Sequence, residues 1–143
     1  MPKAVKTKNK NKNIEMLDVT INRRKWLRNR KNEEIFGSAL LQDGKMCCLG
    51  FVALACGFKE DDIADVDLPN NVYTEDPGFK PHKAWKKLIK KFGENSKDTL
   101  YLANVNDSYD LKTDSIVKYS ATEREQLISE RMKKMGINVK FTG

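Results

Sequence analysis

Histidine is nearly absent from this chain: His82 is the one imidazole in 143 residues. Cys–His or general-base chemistry therefore has a single candidate base, and a histidine-rich metal site has none. Cysteine is almost as scarce, with Cys47 and Cys48 adjacent and Cys56 eight positions on. Structural zinc takes four ligands, normally from CxxC-type pairs or histidines, so no metal is expected. Cys48 and Cys56 would lie about 12 Å apart along a helix rising 1.5 Å per residue, beyond disulfide reach, which implies reduced thiols in a cytoplasm.

Other absences narrow the field further. The longest apolar block, Met46 to Phe58, is interrupted by Gly50 and Gly57 and is too short to cross a bilayer. The chain start has neither the apolar segment nor the small-residue cleavage site of a secretory signal. A soluble protein without a membrane partner is expected. The scattered glycines nowhere form GxxxxGK followed by Ser or Thr, so no phosphate loop and no cofactor are implied. Asn106 to Asp110 with Asp114 gather oxygens, but the central Gly and terminal Glu of an EF-hand loop are missing, and the stretch reads as a solvated turn.

Positive charge, by contrast, is abundant and uneven. The net charge is +7, yet the first 31 residues carry 11 Lys and Arg against two acids, while the other 112 carry 16 basic and 18 acidic residues. Residues 1–13, in which Lys alternates with small polar residues, bury too little to offset ordering entropy and are expected to be a disordered basic tail. Residues 14–143 are read as a single α+β domain.

Within that domain Leu17, Val19 and Ile21 alternate with polar residues, as in a half-buried strand. Asn22 is read as the cap of a short basic helix through Arg30 that turns Trp26 and Leu27 inward. Phe36 to Leu41 is read as a second strand ending at the Asp43-Gly44 turn. The segment GKMCCLGFVALACG is apolar on nearly every position, which predicts a central helix buried on all sides and stopped at Gly57. Ala84, Trp85, Leu88, Ile89 and Phe92 suggest an amphipathic helix among lysines, with Pro81 before and Gly93 after. Leu100 to Val105 is a third apolar run. Ser120 and Glu123 have capping-box spacing before a helix ending at Gly136, and Ile137, Val139 and Phe141 alternate as a last strand. The predicted fold is a small sheet of about three strands, including the paired terminal ones, with a buried central helix and two flanking amphipathic helices.

Two resemblances bear on function. Cys48-Leu49-Gly50-Phe51-Val52 resembles the cysteine motif of papain-like cell-wall endopeptidases, in which a Cys opening a helix precedes a small residue, Gly and Phe-Val. A helix start would lower a thiol pKa, and this resemblance implies Cys48 as nucleophile with His82 as base. The competing reading is Cys as a small buried hydrophobe. Trp26-Leu27-Arg28, SALLQDGKMCCLGFVALACGF, ANVND and TEREQLISERMKKMGI, in that order from Thr20 to Phe141, are similar to a family of small proteins encoded by bacteriophages and prophages. That similarity implies an accessory product of no established activity, acting in host takeover or counter-defence in the cytoplasm of an infected bacterium.

The leading expectation is a non-enzymatic protein that binds an anionic partner, nucleic acid or a nucleotide signalling molecule. Arg23, Arg24, Arg28 and Arg30 offer planar bidentate donors to phosphate, and Lys83, Lys86 and Lys87 offer a second positive face. One alternative is a protein–protein inhibitor of a host factor, presenting the acidic Asp61 to Asp67 region. The other is the papain-like hydrolase. Oligomeric state is left open by the sequence.

Overall fold

The computed structural model describes residues 16–28, 39–90, 93–110 and 115–143. The expected tail, Arg30, Phe36 and Phe92 lie outside these residues. The chain runs through β1 (Leu17–Asn22), α1 (Cys48–Ala55), the single turn α2 (Glu60–Ile63), α3 (Lys97–Asn106), the two-residue strands β2 (Tyr109–Asp110) and β3 (Ser115–Ile116), α4 (Ala121–Lys134) and β4 (Ile137–Thr142). The fold is α+β.

Strand alternation decides the sheet. Leu17, Val19 and Ile21 point into the core while Asp18 and Thr20 face out, and β1 pairs in parallel with β4 from Leu17↔Ile137 to Asn22↔Thr142. Parallel neighbours need a crossover connection, and here nearly the whole domain is that connection. A separate antiparallel ladder joins β2 to β3. The described end of the expected second strand, Leu41, makes only an isolated parallel bridge to Ala64, outside the β1–β4 ladder.

The central helix is buried from Cys48 through Ala53, as its unbroken apolar sequence predicts. It ends at Cys56, and Gly57 follows at φ +107°, a conformation that suits glycine. Gly50 admits this helix to the core: a Cβ there would collide with the Leu40 carbonyl and press on Met46 Cβ. Around α1 pack β1 and α3, while α4 covers β4 and α3.

Two flanking amphipathic helices are present, but one is not where the sequence placed it. Where a helix on Ala84, Trp85, Leu88 and Ile89 was expected, the described residues form a 3-10 turn over Lys83–Lys87, because the Leu88 carbonyl is taken by Ser96 N–H at 2.8 Å and Thr99 Oγ1 at 2.9 Å rather than by a continuing helix. The flanking helix is α3, over the run first seen as Leu100 to Val105. The basic helix expected from Asn22 is likewise only a 3-10 turn, Arg23–Lys25. Beyond it the backbone is drawn out straight, since Met46 N–H donates to Lys25 O at 2.8 Å and Leu27 N–H to Met46 O at 2.6 Å.

Gly50→Ala should lower stability by about 3 kcal/mol through overpacking against fixed backbone. Urea unfolding checks this: the midpoint falls at unchanged slope.

Candidate anion-binding site

The site is built where the chain turns out of β1. Asn22 Oδ1 accepts Arg24 N–H at 3.0 Å, setting the turn that carries Arg23 and Arg24. Trp26, 5% exposed, then inserts its ring and donates Nε1–H to Asn106 Oδ1 at 2.7 Å. The same oxygen accepts Cys48 N–H at 2.9 Å, and Asn106 Nδ2 donates to Leu27 O at 2.9 Å and Asp107 Oδ1 at 3.0 Å. One carboxamide thus fixes the indole, the backbone after it and the start of α1.

On this platform three arginines converge. Arg28 lies over the Trp26 ring at 4.2 Å and makes a 3.4 Å hydrogen bond to Arg23 O. Arg23 grips Glu125 of α4 through Nε–Oε2 at 2.7 Å and Nη2–Oε1 at 2.8 Å, beside Phe141, which itself packs on Trp26 at 5.3 Å. Arg124, 3% exposed, donates Nε–H to Val105 O at 3.2 Å and Nη2–H to Ser108 Oγ.

The charges are not fully balanced. Glu125 is held below the usual carboxylate range, first by the hydrogen bond from Arg23, and Arg23 is held more firmly protonated in return. Arg28 and Arg124 are both pushed down, by burial first. Nearby cations add to it: Arg23 acts against Arg28, and Arg28 against Arg124. Glu125 opposes this at Arg28, and Asp107 at Arg124.

Of the residues expected at an anion site, Arg23 and Arg28 are brought together, with Arg24 exposed on the same turn. Arg30 lies outside the described residues. Lys83, Lys86 and Lys87 do not join them. Their turn follows His82, whose N–H donates to Cys56 O at 3.0 Å, so they stand at the far end of α1, about 12 Å along the helix axis from Cys48. Arg124, Glu125 and Asn106 were missed. A signal for Arg124 existed, since it falls four residues before Ile128 and eight before Met132, the buried stripe of α4.

The thiols are placed otherwise than an enzyme of the papain kind needs. Cys48 is fully buried, its Sγ lies 3.8 Å from Leu102 O, and burial pushes its pKa well up despite the helix start. Burial pushes Cys47 and Cys56 up to about 12. His82 is at the opposite end of α1, where its Nδ1 accepts Ala84 N–H at 2.9 Å. Among the described residues no cluster of three His, Cys, Asp or Glu is placed to hold a metal ion, and no helix is long and apolar enough to cross a membrane. No protein-family model, no curated protein and no solved structure matches the chain.

Asn106→Ala should cost about 3 kcal/mol or more, because it leaves the Trp26 and Cys48 donors and the Leu27 carbonyl buried without partners; chemical denaturation reads this directly. The thiols predict a pH effect of definite sign. Their folded pKa values are raised, so the stability they contribute is intact below about pH 8.5 and is lost as pH rises towards 12, by up to about 1.4 kcal/mol per pH unit per thiol. Denaturation measured from pH 8 to 11 should show a shallower decline in a Cys47→Ala/Cys56→Ala variant than in the parent.

Proposed function

We propose that this chain is a non-enzymatic binding protein whose Arg23, Arg24 and Arg28 surface takes a phosphate-bearing partner, nucleic acid or nucleotide. The observation that carries this reading is the crowding of guanidinium groups on the Trp26 platform. Glu125 neutralises Arg23, while Arg28 stacks on an immobilised indole with one long hydrogen bond among the described residues. A phosphate seated on Arg28 would offset the repulsion from Arg23, and the stacked guanidinium loses little freedom on binding it. On the sequence resemblance to small phage and prophage proteins alone, the proposal extends to a setting in the cytoplasm of an infected bacterium, in host takeover or counter-defence.

A second reading, inhibition of a host protein, is favoured by one feature. A cleft of about 550 Å³ is lined by Asp61, Asp62, Glu75 and Asp76 together with Tyr73, which is 75% exposed. Its charge is opposite to that of the arginine surface.

Binding of a mixed-sequence DNA duplex, followed by fluorescence anisotropy from 50 to 300 mM salt, tests the proposal. A nucleic-acid partner gives a steep loss of affinity with salt, and Arg24→Gln/Arg28→Gln reduces the log–log slope by about 2. Lys86→Gln/Lys87→Gln leaves the slope unchanged. Nucleotide binding with a shallow salt dependence identifies the smaller ligand. Absence of phosphate-ligand binding, or binding indifferent to Arg24 and Arg28, overturns the reading.

A further inference from the structure

Strand β4 ends the sheet with hydrogen-bonding groups that point outward. Leu17 N–H donates to Gly136 O at 2.9 Å in the parallel register Leu17↔Ile137. That parity turns the N–H and C=O of Asn138 and Lys140 towards β1, and those of Ile137, Val139 and Phe141 away from it. Among the described residues none of these outward groups has a hydrogen-bond partner.

The two edges of the sheet differ in what remains exposed. On β1 all three apolar side chains are buried. On β4 Val139 and Phe141 are only half-buried, so a strand laid beside β4 would cover apolar surface as well as pair backbone.

We propose that β4 pairs antiparallel with β4 of a second copy, about a twofold axis at Val139, to make one continuous four-stranded sheet. The outward groups are self-complementary about that axis: Val139 meets Val139 of the partner subunit, and Ile137 meets Phe141 of the partner subunit, with each pair exchanging two hydrogen bonds. An axis at Val139 pairs all three outward residues of the strand, which an axis at Asn138 does not, and charge excludes the axis at Lys140. An axis at Lys140 would set two like charges directly opposite, which is destabilising. An axis at Val139 sets exposed Asn138 against Lys140 of the partner subunit.

The test is disulfide trapping at those two exposed positions. Asn138 and Lys140 of the partner subunit form a non-hydrogen-bonded pair with Cα atoms about 4.5 Å apart, within disulfide reach. Asn138→Cys and Lys140→Cys chains, each checked for a parent-like melting temperature, are oxidised separately and mixed. The buried native thiols do not compete. Cross-linked dimer from the mixture and not from either variant alone is the expected result. Cross-linking of Lys140→Cys with itself overturns the register, and no cross-link in the mixture, with the parent chain sedimenting as a monomer at 100 μM, overturns the proposal.

Discussion

The carboxamide of Asn106 is the interaction on which the rest depends. It lies at the end of α3, it is 1% exposed, and its oxygen and nitrogen make four hydrogen bonds to Trp26, Cys48, Leu27 and Asp107. Those partners come from the segment after β1, from the first turn of α1 and from the residue after α3. A buried amide satisfied this fully strengthens in the low dielectric around it, whereas half-satisfied it would be a liability. It also meets a need of α1, whose N-cap residue, Cys47, supplies no side-chain hydrogen bond. Asn106 takes one of the free amides of the helix start, that of its first residue, which an N-cap side chain does not reach.

From this anchor the character of the surface follows. With its indole held, Trp26 becomes a rigid face for Arg28, and Phe141 on β4 extends that face towards Arg23. The helix that covers β4 contributes both signs of charge to the same place, Glu125 against Arg23 and the buried Arg124 against the carbonyl of Val105. Burying Arg124 costs hydration that backbone and hydroxyl acceptors replace in part. The thiols stand in contrast. The three cysteines, one opening α1 and two flanking it, have the packing role of small apolar side chains, and burial raises all of their pKa values.

Some of this was legible in the sequence and some was hidden for definite reasons. Strict alternation marked β1 and β4, and the all-apolar run marked α1, since neither pattern has another stable placement around a packed apolar core. The Ser120–Glu123 capping box is formed as read, with both reciprocal bonds at 3.0 Å. Helix α3 was obscured because its buried face includes Thr99 and Asn106, polar residues that break the apolar period although both are fully hydrogen-bonded. The turns at Arg23 and Lys83 were read as helices because local spacing cannot see a carbonyl captured from far along the chain, as Leu88 O is by Ser96 and Thr99. Within the site, Arg23 and Arg28 were found by charge. Arg124 and Glu125 were not, because adjacent charges on a helix ordinarily read as its solvent face.

The sheet itself carries the last consequence. Its two strands are about 120 residues apart in the chain, yet loop closure grows only logarithmically with length, so that separation adds little more than a closure half as long. What a two-stranded parallel ladder lacks is stability of its own. Here that is supplied from one side, by α1 against β1 and α4 against β4, and by the side chains of Leu17, Val19, Ile21 and Ile137 that they cover. Helix packing of this kind secures the inward faces of the strands and leaves their outer backbone edges unaddressed. The ladder is therefore held by its inward face alone, and one of its open backbone edges belongs to the strand that also carries Phe141 beside Arg23.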